Sequence, residues 1–218
     1  MNEIEKNKLL NKLEEKKFLT DNDINLLQEL LTDSDEEQKI LISQILAKDN
    51  TSKSENILLD LINDESELVR ANACDSLYNN ISNNVVEKLL IKSNNDTNLV
   101  KYYAILSLGD IVVSDMANKQ KVIEKLEKLR KDNKDISVNI SISKVLYQLG
   151  KTEELNILLK YLDDRNYQNR CETLNCITEI INTNNLKIII PILKEKMKTE
   201  NSFAVKKSLE NIIKNYNI

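Results

Sequence analysis

The feature that most constrains the fold is a group of apolar residues, spaced four apart, that recurs along the chain. In residues 64–77, Val69, Ala73 and Leu77 lie on one stripe of a helix. The stripe recurs with the first residues Gln38, Val69, Val100, Val138, Asn169 and Val205. These six positions are separated by 31, 31, 38, 31 and 36 residues. A period of this length predicts a solenoid of stacked repeats rather than one compact core.

A second apolar segment with helical periodicity precedes each stripe. These segments lie near residues 21–31, 54–62, 84–93, 118–131, 152–162 and 186–198. The predicted unit is therefore a helix, a short turn and a second helix, repeated six times after an N-terminal capping helix in residues 1–18. We expect a single domain over 1–218, with repeats at about 20–48, 52–81, 84–113, 118–149, 151–182 and 186–216. The predicted fold class is an all-α, right-handed α-solenoid.

Residues 64–77 carry the pattern Asp-x4-Val-Arg-x2-Ala-x3-Leu. This pattern resembles the second helix of a HEAT repeat and is similar to the short variety found in bilin-lyase-like HEAT proteins. Residues 96–108 carry it with Lys101 in place of the arginine. The resemblance covers about residues 30–210, is sharpest in 64–108, and implies about six HEAT-like helix pairs.

Several charged residues recur at fixed places in the repeats, and we interpret them as structural. An aspartate at the turn between paired helices can cap exposed backbone amides. A basic residue directly after the first stripe position can pair with an acidic neighbour in the adjacent repeat. The structural set comprises Asp33, Asp64, Arg70, Lys101, Asp164 and Arg170.

The composition removes most catalytic chemistry. The chain has no histidine, which excludes Ser-His-Asp and Cys-His catalysis and histidine metal sites. Its two glycines, Gly109 and Gly150, form no phosphate-binding loop, and both are predicted near the C-terminal ends of second helices. Cys74, Cys171 and Cys176 lie among apolar neighbours and are predicted to be buried thiols of a reducing compartment. We expect no enzyme activity, no cofactor and no metal.

The charge is acidic overall but unevenly distributed. Thirty-five acidic and 31 basic residues give a net charge of −4. Residues 1–109 hold 20 acids and 12 bases (−8), whereas residues 110–218 hold 15 acids and 19 bases (+4). The first residues lack an apolar signal core, and no run approaches the length of a membrane span. We therefore expect a cytoplasmic protein without a membrane partner.

Side chains that point away from the stripe on the second helices form the candidate binding surface. The stripe occupies offsets 0, 4 and 8 from its first residue, so offsets 3, 6 and 10 face outward on the concave side. An exposed tyrosine among aspartates and asparagines is typical of a protein hot spot, although Tyr102 or Tyr103 could instead fill a gap between helices. The candidate partner-binding residues are Asn72, Asp75, Asn79, Tyr103, Asp110, Lys144, Glu172, Asn175 and Glu179.

Three classes of function stay open. The first, which we favour, is a non-enzymatic module, monomeric when free, that presents a polar, acidic surface to a basic protein partner, as an adaptor or a toxin-neutralising immunity protein does. The second is a nucleic-acid-acting enzyme of the HEAT-like DNA glycosylase type, which the acidic charge and the absence of tryptophan disfavour. The third is a tetrapyrrole (bilin) lyase-like protein, for which no group of residues stands out.

Overall fold

The computed structural model describes residues 3–216, and this part of the chain is all-α, without a strand. Helix α1 (Glu3–Glu14) comes first. Two 3-10 turns, Met116–Asn118 and Tyr161–Asp163, follow α7 and α10. The other twelve α-helices of the described part form pairs: α2 (Asp21–Leu31) and α3 (Glu36–Leu46), α4 (Ser52–Leu61) and α5 (Glu67–Ser76), α6 (Asn83–Asn94) and α7 (Asn98–Ser114), α8 (Lys119–Asp132) and α9 (Ile136–Gln148), α10 (Glu154–Lys160) and α11 (Tyr167–Ile180), α12 (Leu186–Thr199) and α13 (Phe203–Asn215).

The predicted all-α fold of repeated helix pairs is thereby confirmed. The repeat boundaries and the single domain stay predictions. Residues 1 and 2 of the predicted capping helix and residues 217 and 218 of the predicted domain lie outside the described residues.

The chain divides into two compact units within α8. The first unit ends at Lys125 and the second begins at Leu126. Residues 1–125 hold 23 acids and 15 bases (−8), and residues 126–218 hold 12 acids and 16 bases (+4). The uneven charge of the sequence therefore coincides with the two units.

In the first unit, the apolar stripes of the second helices form the core. Helix α3 packs against α5, and α5 packs against α7. The stripe residues Val69 and Ala73 of α5 and Leu77 directly after it are fully buried, as are Val100 and Ala104 of α7. Small alanines at the crossing points allow neighbouring helices to approach closely. The stripe is thus the surface through which consecutive repeats stack.

The second unit repeats this plan with a partly polar stripe. Its core contains Leu158, Leu174, Ile189 and Leu209. Thr173 occupies a stripe position of α11 and is fully buried. Its hydroxyl donates a 2.7 Å hydrogen bond to the Asn169 carbonyl, so its polar atom is satisfied inside the core.

Side-chain caps begin most of the helices, because short polar side chains satisfy the first free amides. Before α3 the capping carboxylate is Asp35, which accepts from the Gln38 amide at 2.9 Å. We predicted a capping role for Asp33, and this is wrong: Asp33 lies two residues too early, and its carbonyl accepts from the ammonium of Lys6. Asp64 and Asp164 accept from the amides of Ser66 and Asn166, which are themselves the N-caps of α5 and α11.

The two glycines play different parts. Gly150 has φ 101° directly after α9, and its amide donates to the Tyr147 carbonyl while that of Lys151 donates to the Leu146 carbonyl. This is a Schellman ending, in which glycine avoids the steric penalty of positive φ. Gly109, predicted near a helix end, is instead buried inside α7, because that helix continues to Ser114.

Candidate binding face on the second helices

Arg70 of α5 joins two consecutive repeats of the first unit. Its Nε and Nη2 donate to the Asp96 carboxylate at 3.2 and 2.9 Å. Its Nη1 donates to the carbonyls of Asp64 and Glu65 at 3.0 and 2.9 Å. Lys92 also lies 3.1 Å from Asp96. Burial acts to raise the pKa of Asp96, but hydrogen bonds from Arg70, the Thr97 amide and Lys92 outweigh it and lower that pKa.

Arg170 makes the same arrangement in the second unit, 100 residues later. Its Nε and Nη2 donate to the Glu200 carboxylate at 2.8 and 2.7 Å. Its Nη1 donates to the carbonyls of Asp164 and Arg165. Hydrogen bonding from Arg170 is the main reason that the pKa of Glu200 is lowered.

Lys39 follows the same rule, since its ammonium lies 2.7 Å from the Asp64 carboxylate of the next repeat. In these three repeats the basic residue after the first stripe position therefore reaches an acid at the following turn. Lys101 occupies the equivalent position and is half-buried. The contacts of Lys39, Arg70 and Arg170 hold repeats together, which supports a structural reading of this set.

The pattern is interrupted at Asn139, which occupies the basic position of α9. Its Oδ1 is buried without a hydrogen-bond partner in the described part of the chain. The acid of the following turn, Asp164, instead accepts from Asn169 Nδ2 at 2.9 Å. Asn169 stands where the stripe normally has an apolar residue. The imperfect repeat near residues 163–181 thus carries a local donor in place of the missing cation.

The outward positions of the first unit lie side by side on α3, α5 and α7. We call Asn72, Asp75, Asn79, Tyr103 and Asp110 the first-unit face; Asp75 and Asn79 are exposed, and the other three are half-buried. Gln44 Nε2 of α3 donates to Asn72 Oδ1 at 3.2 Å. Ser107 Oγ of α7 donates to the Asp75 carbonyl at 3.3 Å. These bonds connect the three helices across the face.

The two tyrosines of α7 have different environments. Tyr102 is 9 % exposed and is counted with the core, whereas Tyr103 is half-buried on the first-unit face. Their rings meet edge to face, with centroids 5.3 Å apart and planes at 88°. Tyr102 is therefore the tyrosine that fills the interior, and it supports the ring of Tyr103 from one side.

Two leucines on this face escaped the sequence analysis. Leu68 and Leu99 are 46 % and 36 % exposed. Each stands directly before the first stripe residue, four residues before Asn72 and Tyr103 respectively, and so lies on the same side of its helix. The sequence did contain a signal, because leucine occurs at the same position in two consecutive repeats.

In the second unit the equivalent positions bond to one another. Ser137 Oγ of α9 donates to Glu172 Oε2 of α11 at 2.6 Å. Lys144 of α9 forms an ion pair with Glu179 of α11. Burial raises the pKa of Glu172, although the bond from Ser137 opposes the shift. Asn175, also predicted to bind a partner, is exposed.

Lys144 requires a correction. We predicted that its side chain points outward, but only 1 % of it is exposed. The prediction is wrong because α11 packs against α9 and covers this position. The long apolar stem can lie in the interior while the ammonium reaches the half-exposed carboxylate of Glu179.

A comparison with known families agrees with this geometry. The family of HEAT repeats matches residues 24–108. The matched segment runs from α2 into α7 and contains all of the first-unit face except Asp110. No curated protein matches the chain significantly.

Three features of the described residues bear on the other classes of function. No group of three cysteines, aspartates or glutamates in residues 3–216 could hold a metal ion. Burial raises the pKa of Cys74 to about 12, which keeps this thiol protonated at neutral pH. Cys176 is also buried, but Cys171 is half-buried, contrary to our prediction for it. None of the described helices is long and apolar enough to span a membrane.

Proposed function

We propose that this protein is a non-enzymatic module that binds a protein partner through the first-unit face. HEAT repeats typically mediate protein–protein interaction, and their family is generally a non-catalytic scaffold. The observation that carries the proposal is the exposure of Leu68 and Leu99 beside Tyr103 and Asp75, on the matched segment itself. Exposed apolar and aromatic side chains with carboxylates around them are typical of protein-binding surfaces.

The way in which the face is built supports a preformed surface. The ion pairs of Lys39 and Arg70 join consecutive repeats at the turns, away from the outward positions. A rigid face loses little conformational entropy when a partner binds, so more of the contact energy appears as affinity. The charge of −8 on the first unit would accelerate the approach of a basic partner.

The biological role that we propose is that of an adaptor or of an immunity protein that neutralises a basic toxin domain. Size and charge support this step. A strain that lacks the protein should then become sensitive to such a toxin, and the purified protein should recover the toxin domain. An unchanged deletion strain together with no recovered toxin would remove the immunity role and leave the adaptor role.

Glu172, Asn175 and Glu179 of the second unit are proposed as further contact residues. Glu179 already pairs with Lys144, and Glu172 accepts from Ser137, so each side chain has an intramolecular bond that a partner would have to replace. We therefore expect their substitution to affect partner binding less than changes on the first-unit face.

Affinity capture from the native cell extract at moderate salt tests the proposal. The binding variant carries Asp75→Lys, Tyr103→Ala and Asp110→Lys. The control variant carries similar changes at other exposed positions, Asp60→Lys, Asp132→Lys and Tyr167→Ala. We expect one stoichiometric protein that wild type and the control recover and the binding variant loses. Recovery of nucleic acid or a coloured small molecule instead, equally with all three, would contradict the proposal.

A further inference from the structure

The outward face differs in chemistry between the two units. Offsets −1, 3, 6 and 10 on three second helices give twelve equivalent positions per unit, of which Ser141 and Lys144 in the second unit are buried. In the second unit none of the twelve is a large apolar residue, and the positions are Ser137, Ser141, Lys144, Gln148, Gln168, Glu172, Asn175, Glu179, Ala204, Ser208, Asn211 and Asn215. In the first unit five of the twelve positions hold a large apolar residue. We call these five the leucine row: Leu41, Leu68, Leu99, Tyr103 and Leu106.

The leucine row extends over three helices of the first unit. Its members lie on α3, α5 and α7, which pack in that order. The bonds from Gln44 to Asn72 and from Ser107 to the Asp75 carbonyl hold adjacent outward positions together. Leu68 and Leu99 are exposed, and Leu41, Tyr103 and Leu106 are half-buried. Isolated exposed leucines are common on protein surfaces, but two on adjacent helices, next to half-buried apolar side chains, indicate a surface that another molecule covers.

Carboxylates border this row on the same helix faces. Asp75 follows Leu68 by seven residues, and Asp110 follows Leu106 by four, so that each lies one or two turns along the same face. Glu37 stands at the position of α3 that Leu68 and Leu99 occupy in α5 and α7, and it is exposed. Three carboxylates therefore lie beside the row, and the one cation among the twelve first-unit positions, Lys48 at offset 10 of the first repeat, donates to the carbonyls of Glu14 and Lys16.

We propose that the leucine row binds a basic amphipathic segment of a partner protein. Apolar side chains of that segment lie on Leu68 and Leu99, and its lysines or arginines lie near Asp75 and Asp110. Charge complementarity selects this occupant, since the first unit carries a net charge of −8 and three of its carboxylates lie beside the row. The inference rests on the proposed function and specifies the chemistry of its partner.

The test uses a synthetic probe, because the chain contains no tryptophan and a single tryptophan in the probe reports binding alone. The probe is a 14-residue peptide of leucine and lysine in helical periodicity with one tryptophan. One companion peptide replaces lysine by glutamate, and another has the same composition in shuffled order. Binding to the full chain should shift the emission to shorter wavelength for the basic amphipathic peptide and much less for its companions.

The chain itself offers matched variants. Leu68→Ser with Leu99→Ser introduces the residue found at Ser137, the equivalent position of the second unit. This double variant should weaken binding of the basic probe about tenfold, as expected for the loss of two exposed apolar contacts. Ile188→Ser with Phe203→Ser removes apolar side chains of the second unit that are 51 % and 84 % exposed, and it should leave the affinity unchanged. Circular dichroism establishes that both variants are folded.

Three results would overturn this inference: equal affinity of the Leu68→Ser/Leu99→Ser variant, equal binding of the glutamate peptide, or a wild-type dimer that this variant dissociates in gel filtration. A dimer of this kind would mean that a second copy of the chain covers the leucine row.

The capture experiment separates the two proposals. If the partner is lost by the Asp75/Tyr103/Asp110 variant but retained by the leucine variant, the proposed function stands and this inference fails; if no protein is recovered, the proposed function fails.

Discussion

The two units use the same contact to stack their repeats but present different outward faces. Arg70 and Arg170 each donate to one carboxylate through Nε and Nη2 and to two carbonyls through Nη1. The outward position two residues before the arginine is Leu68 in the first unit but Gln168 in the second, and both are exposed. Stacking limits what can occupy the turns, whereas the outward face is free to vary between units.

The largest effect that we expect distinguishes the two arginines. Arg170→Ala removes the cation that pairs with Glu200, whereas after Arg70→Ala the carboxylate of Asp96 keeps Lys92 at 3.1 Å. We expect Arg170→Ala to lower the free energy of unfolding by about 3 kcal/mol and Arg70→Ala by about 2 kcal/mol. Urea unfolding measures both.

The matched control for the arginines is Arg165→Ala. Arg165 is exposed in the same turn as Asp164, and its loss should change the stability by less than about 0.5 kcal/mol. Equal losses at Arg70 and Arg170 would show that Lys92 does not compensate, and the two stacking contacts would then be equivalent.

A smaller effect concerns the interrupted repeat. Asn139→Arg with Asn169→Val restores the residue types that the first unit has at Arg70 and Val69. The double variant should be more stable than wild type by about 1 kcal/mol, because it removes the unsatisfied Oδ1 of Asn139 and provides a cation for Asp164. Thermal unfolding of the double and both single variants measures the coupling.

The single variant Asn169→Val alone should be destabilising, since Asp164 then loses the donor of its 2.9 Å bond without gaining a cation. If the stability changes of the two single variants simply added up in the double variant, Asn139 and Asn169 would not compensate for one another.

The smallest effect that we expect is a difference in acid sensitivity. Hydrogen bonds from Lys16 and Thr20 lower the pKa of Asp23 from 3.8 to about 2, and the pKa values of Asp64 and Asp96 are also lowered. Such groups take up protons at higher pH in the unfolded chain, so their stabilisation is present above about pH 4 and is lost toward pH 2. In the second unit Glu200 behaves likewise, but the raised pKa of Glu172 acts in the opposite direction.

Amide hydrogen exchange between pH 5 and pH 2.5, corrected for the intrinsic exchange rate, measures this difference unit by unit. Protection should fall further in α2–α5 than in α11–α13, and Asp23→Asn should reduce the fall near α2. An equal loss in both units would contradict the role assigned to these carboxylates.

Helix positions could be read from the sequence with good accuracy. The segment 21–31 coincides with α2, and 186–198 ends one residue before α12 does. Such positions are predictable because a stripe with a period of four and a polar cap depend only on residues within one or two turns. The segment 152–162 was less accurate, because α10 ends at Lys160 and continues as a 3-10 turn.

The candidate site was predicted less completely. The spacing correctly indicated that basic residues pair with the next repeat, but it did not identify Asp96 or Glu200 as the acids. Leu68 and Leu99 were missed because an outward leucine and a core leucine look alike in a periodic pattern. Lys144 was misplaced because its burial depends on α11, 23 or more residues further along the chain.

The sequence alone determined the helices and their order in pairs, because each of these depends on hydrogen bonds and apolar spacing within a short stretch of chain. Only the tertiary structure decided which outward side chains stay accessible. Within the second unit α11 packs against α9 and buries Lys144, whereas the packing of α3, α5 and α7 in the first unit leaves Leu68 and Leu99 exposed. That outcome depends on the packing between repeats, which a single repeat does not encode.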